Sequence, residues 1–113
     1  MDKGTIVLTK FPFTDLSTVK RRPAIIISKV DPADPDVIVA FISSVLPLQP
    51  STSDYILLDT HVDFIQTGLK KPSVFKMDKL ATLDKSIFSG ELGSVPPSVF
   101  EKLKEKLRVT LDL

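Results

Sequence analysis

Short runs of β-branched and apolar residues, separated by polar turn residues, set the rhythm of this chain and read as strands. Residues 4–10 alternate, with Ile6 and Leu8 on one face and Thr5, Val7 and Thr9 on the other. Residues 23–29 and 37–43 are almost wholly apolar, the mark of central strands covered on both faces. Further strands are expected over 54–58, 73–80 and, as a short strand or extended segment, 89–95. Residues 61–66 read as a short helical turn ended by Gly68, and residues 82–88 as a turn or short helix opened by Asp84.

The period then changes. Val99, Phe100, Leu103, Leu107 and Leu111 recur every three to four residues, the stripe of an amphipathic helix, with Pro97 in its first turn. The charges at 101, 102, 104, 105 and 108 read as its solvated face. The fold expected is mainly β (α+β): a small SH3-like curled antiparallel barrel of five to six strands with a C-terminal α-helix. Residues 1–113 are expected to form a single domain.

Composition excludes more than it assigns. The chain has no cysteine and one histidine, His61, so disulfides, thiolate zinc sites, a cysteine nucleophile and a histidine cluster are ruled out. His61 reads as structural or merely exposed. The glycines are scattered singly, so no phosphate-cradling loop exists. The N-terminus lacks a signal-peptide pattern, and no apolar run is long enough to span a membrane, so a soluble cytoplasmic protein is expected. The net charge of +1 makes any anion binding a matter of local clusters, at Lys20-Arg21-Arg22, at Lys70-Lys71 and from Lys76 to Lys79.

Of these, Lys20-Arg21-Arg22-Pro23 is the most suggestive. Pro23 disfavours helix at Arg22 and extends the chain there. An arginine on extended backbone can offer its planar fork to a phosphate, although a solvated loop charge explains the segment equally well. Ser43 and Ser44 end the third strand and carry hydroxyls that can bind a phosphate or simply cap the strand. Lys76 and Asp78, two apart on the fifth strand, share a face. They supply a cation and a carboxylate, or a surface ion pair worth ~0–1 kcal/mol.

In sequence these segments resemble the MazF/PemK toxins. The resemblance is carried by residues 4–8, Phe11-Pro12-Phe13, the run from Lys20 to Ser28, residues 67–79, Thr82-Leu83-Asp84-Lys85 and Leu92-Gly93. It implies an SH3-like barrel, a homodimer, and a toxin neutralised by a separately encoded antitoxin with an acidic, apolar tail. It implies a metal-independent endoribonuclease, without cofactor, that cuts single-stranded RNA through attack by the RNA's own 2′-hydroxyl. By that resemblance Arg22 stabilises the pentavalent phosphate and Lys76 shares the task, Ser43 orients the phosphate, and Asp78 is the candidate base. Lys20, Arg21, Ser44, Ser17, Phe13 and Lys79 fall to RNA binding, with Phe11 and Phe75 as further stacking candidates that serve equally as core.

Three positions depart from the family pattern. Ser17 stands where some members carry a glutamate proposed as general base, the loop around it lacks their histidine, and Ala81 replaces an arginine. Two alternatives keep the fold and change the activity. One is a non-catalytic RNA- or peptide-binding module. The other is a gyrase-poisoning toxin, although those share a C-terminal tryptophan that this chain lacks.

Overall fold

The computed structural model describes residues 1–10 and 21–113. Six strands, β1 (Thr5–Thr9), β2 (Arg22–Ile26), β3 (Asp36–Ser43), β4 (Asp54–Leu57), β5 (Ser73–Asp84) and β6 (Gly90–Ser94), form one antiparallel sheet ordered β4-β5-β3-β2-β1-β6. The helix α1 (Pro97–Leu111) follows, with Pro97 in its first turn. The apolar runs at β2 and β3 occupy the middle of the sheet, as near-continuous hydrophobicity requires.

The strand period divides the apolar residues between two faces. On one, Ile6, Ile25, Ala40, Ile42, Phe75 and Met77 pack with Val99, Phe100 and Leu103 of α1. On the other, Val7, Ala24, Ile26, Val37 and Val39 form a second buried cluster. The helix stripe is used only in part. Val99, Phe100 and Leu103 are buried, Leu107 is partly covered and Leu111 is exposed. A hydrogen bond ties the far end of α1 to the sheet. Thr110 Oγ1 donates to the Lys106 carbonyl at 2.8 Å, so the 2.6 Å contact between Ser53 Oγ and Thr110 Oγ1 takes its proton from Ser53.

β5 is longer than its sequence pattern suggests and serves both faces through a bulge. Phe41 pairs with Lys76, yet Ala40 pairs with Leu80, so Met77, Asp78 and Lys79 stand opposite a single step of β3. Phase is lost there. Phe75, Met77 and Leu80 point to the helix side, whereas Ala81 and Leu83 belong to the opposite cluster. A bulge of this kind bends the strand and increases the local twist, which curls the sheet into a half-barrel.

The curl brings the β4–β5 connection against β6. Gly68 has a left-handed φ of 73° and ends a 3-10 turn over Ile65–Thr67. A Cβ on Gly68 would overlap the carbonyl of Leu92, and one on Gly93 would overlap the carbonyl of Gln66. The two backbones meet at van der Waals distance only because both residues lack a side chain. Thr67 is fully buried beneath this crossing, donating its hydroxyl to the Phe64 carbonyl at 2.6 Å. Nearby, His61 is half-buried and structural, its Nδ1 accepting the Asp63 N–H at 3.0 Å.

Gly93→Ala should therefore destabilise the fold by about 1–3 kcal/mol, the usual range for overpacking, read as a lower urea midpoint. Asp84 caps the 3-10 turn Lys85–Ile87 by accepting the Ser86 N–H at 2.8 Å. That backbone hydrogen bond, joined by the Ser86 side chain, holds its carboxyl below the ordinary value. A depressed carboxyl stabilises the fold above its unfolded pKa and loses that contribution as pH falls through the folded one. Asp84→Ala should thus be less stable than wild type at neutral pH. The gap should narrow in strong acid, as checked by urea titrations at the two pH values.

Candidate functional site

Arg22 opens β2, and the proline behind it shapes what it faces. Pro23 has no N–H with which to extend a ladder, and the pairing of β2 with β3 runs only from Ala24 to Ile26. The two strands separate at the Arg22–Pro23 step. Carried two residues further, their register sets Arg22 opposite Ser43.

The Arg22 guanidinium lies over the Phe41 ring at 5.6 Å from its centroid. An arginine so placed gains from the ring quadrupole and keeps its donor edge free. Its Nε is buried and has no hydrogen-bond partner among the described residues. A buried donor without an acceptor carries a desolvation cost. Ser43 is buried at the end of β3, and its Oγ accepts the Val45 N–H at 3.1 Å, so its hydroxyl proton points away from that turn.

Across this face the register runs Ala24, Phe41, Lys76, Asp54. Lys76 therefore borders the same Phe41 ring position from the other side. Its Nζ reaches Asp54 Oδ1 at 3.9 Å, and the Asp54 carboxylate is buried and accepts the Ser51 N–H at 3.0 Å. Asp78 is exposed within the β5 bulge, two residues along from Lys76. Lys79 is exposed beside it.

Beside Arg22 opens a cavity of about 580 Å³. Arg21, Arg22, Ser43 and Ser44 line it together with Lys70 and Lys71. Leu8, Pro23, Leu69 and Leu92 give it an apolar wall. Four of the residues singled out in the sequence thus share one cavity. Lys76, Asp78 and Lys79 lie outside its lining. Phe13, Ser17, Lys20 and the stacking candidate Phe11 fall outside the described residues. Phe75 is fully buried in the helix-side core, edge-on to Tyr55 at 6.1 Å, and is not available for stacking.

Phe41 was not visible as a functional residue in the sequence. Only the β2–β3 register reveals that it sits under Arg22. The Lys70-Lys71 pair was visible as charge, but its place at the cavity depends on the Gly68–Gly93 crossing. Among the described residues no group of three or more His, Asp or Glu side chains could hold a metal ion. No helix among them is long and apolar enough to cross a membrane.

The same shape recurs in solved structures. A mycobacterial endoribonuclease in complex with its cognate antitoxin superposes with a TM-score of 0.75 at 18% identity, covering 100% of this chain and 96% of the other. The Mycobacterium tuberculosis toxin MazF-mt6 gives 0.74 at 22% identity, with 96% and 97% covered. MazF from Deinococcus radiodurans gives 0.74 at 21% identity, with 100% and 97% covered. At these identities the likeness is one of fold. No curated protein matches at the sequence level. The family profile described as PemK-like, MazF-like toxin of type II toxin–antitoxin system matches residues 2–111, nearly the whole chain, and the protein belongs to that family.

Proposed function

We propose that this toxin is an endoribonuclease that cuts single-stranded RNA, arresting translation and growth, and that residues 1–113 act as one catalytic unit. The observation that carries the reading is Arg22. Its guanidinium is fixed on Phe41, its buried Nε lacks an acceptor, and it faces Ser43 at the mouth of a cationic cavity. A phosphodiester in the cavity would meet the part of the guanidinium that lines it.

The reaction is a transesterification within the RNA. The 2′-oxygen attacks the adjacent phosphorus, the bond from phosphorus to the 5′-oxygen breaks, and the products are a 2′,3′-cyclic phosphate and a 5′-hydroxyl. Asp78, exposed and two residues along β5 from Lys76, takes the 2′-hydroxyl proton. Arg22 stabilises the charge that accumulates on the non-bridging oxygens, where a preorganised donor counts most. Its guanidinium stays protonated at neutral pH, so it acts through charge and hydrogen bonding, and the leaving 5′-oxygen takes its proton from solvent. The Ser43 hydroxyl orients the phosphate, and Lys76, the cross-strand partner of Phe41, adds positive potential.

The likeness to an endoribonuclease solved with its antitoxin extends the proposal to partners. A cognate antitoxin with an acidic, apolar tail would cover the cationic cavity, and two copies of the chain would form the working dimer in the cytoplasm. A supercoiling assay run beside the RNA assay should show no effect on topoisomerase activity.

Incubated with a long single-stranded RNA in EDTA, the wild type should cleave it and leave cyclic-phosphate ends; intact RNA would sink the ribonuclease reading. Arg22→Ala should lower the single-turnover cleavage rate on the order of 10²–10³-fold. Arg22→Lys, which keeps the charge and loses the fork, should recover little of it. Asp78→Asn should cost about 10²–10⁴-fold in the same single-turnover rate. A rate unchanged by that substitution would assign the base elsewhere.

A further inference from the structure

The cavity beside Arg22 is larger than one phosphate requires. At about 580 Å³ it lies within the ~300–1,000 Å³ of ordinary small-molecule sites. Its wall of Leu8, Pro23, Leu69 and Leu92 offers apolar surface and no charge. Lys70 and Lys71, both exposed, line the same cavity as Arg22. An apolar wall together with two sets of cations matches the chemistry of one nucleotide, a base flanked by phosphates.

The lysines sit on backbone that is held in place from both sides. Upstream, Thr67 Oγ1 accepts the Leu69 N–H at 3.2 Å, and Gly68 lies against Leu92. Downstream, Ser73 Oγ donates to the Lys71 carbonyl at 2.8 Å. A chain pinned at Leu69 and again at Lys71 has little conformational entropy left to lose when a ligand binds. Leu92, part of the apolar wall, belongs to the same glycine crossing that positions the lysines.

We propose that this cavity seats the nucleotide next to the scissile bond, with its base against Leu8, Pro23, Leu69 and Leu92 and its outer phosphate on Lys70 and Lys71. The assignment rests on the RNA-cleaving reading and adds a subsite to it. Arg22 and Ser43 hold the reacting phosphate. Lys70 and Lys71 hold its neighbour and set the direction in which the strand leaves the site.

The test separates binding from cleavage. An oligonucleotide with 2′-O-methyl groups throughout lacks the attacking hydroxyl and reports binding alone, by fluorescence anisotropy across a salt series. Wild type is compared with the Lys70→Gln/Lys71→Gln double variant, and folding of both is checked by circular dichroism. Each phosphate contact on a single strand contributes about 0.7 to the slope of log K against log salt. The variant should lose about 1.4 from the slope if both lysines make such contacts. With the two curves converging near ~1 M salt, its affinity at ~0.1 M should be about 25-fold weaker. Lys70→Arg/Lys71→Arg should restore the slope, and an abasic spacer should weaken wild-type binding chiefly at one position beside the cleavage site. An unchanged slope, or no binding by wild type, overturns the subsite. Unmodified RNA run in parallel distinguishes the two readings. Cleavage with an unchanged slope overturns the subsite alone, whereas a lysine-dependent slope without cleavage overturns the ribonuclease, and with it a place beside a scissile bond, and leaves Lys70 and Lys71 as RNA-binding residues only.

Discussion

Two stretches of backbone, one leading into β5 and the other within β6, touch at Gly68 and Gly93 with no side chain between them. That contact holds the curled sheet closed. β4 and β6 are its two outermost strands, and without the crossing they would be separated by the whole width of four others. With it, the connection after β4 lies on β6, Thr67 is sealed beneath, and the segment through Lys71 is delivered to the mouth of the cavity. A methyl group at either glycine would have to displace a carbonyl, which is backbone and cannot rotate out of the way.

The β5 bulge is the complementary device. A flat β5 would keep one set of residues on the helix side along its whole length. The three residues between Lys76 and Leu80 reverse the phase, so the first half of the strand feeds the core under α1 and the second half feeds the cluster around Val37 and Val39. Both cores are then completed by a single strand. Asp78 lies in the reversal itself, where the chain is least constrained by pairing and most open to solvent. Bulges often re-aim a side chain beside a working site, and the position of Asp78 between Lys76 and the bend fits that pattern.

Strand identities and the helix could be read along the chain because period-two alternation and the Val99–Leu111 stripe are local signals. The end of the helix could not. Leu111 carries the right spacing, yet nothing in the stripe says that the sheet stops short of it. The length of β5 was hidden for a related reason, since a bulge breaks the alternation by which a strand is recognised. At the site, Arg22 and the serines were legible from residue type and the following proline. Phe41 was not, because an aromatic in an apolar run looks like core until the β2–β3 register places a guanidinium over it. Phe75 shows the converse: its sequence context suited a stacking surface, but its phase on β5 turns it into the core.

A net charge of +1 is small for a protein that meets a polyanion. What counts is where the cations stand and what surrounds them. Arg22 is partly buried against a ring, with its Nε already stripped of water, so little of its interaction with a phosphate is spent on desolvation at the moment of binding. Lys70 and Lys71 are exposed, fully hydrated and screened by salt, which suits attraction and alignment but contributes little to charge stabilisation in a transition state. The chain thereby separates the two tasks by burial. In the proposed reaction one desolvated arginine serves the reacting phosphate, and solvated lysines on a rigid segment guide the strand. Among the described residues three other cations are paired with carboxylates: Lys76 with buried Asp54, and Lys104 and Arg108 with Glu101 and Glu105 along the helix. The clustering of cations around one cavity is how a near-neutral protein can still present a positive potential to a polyanion.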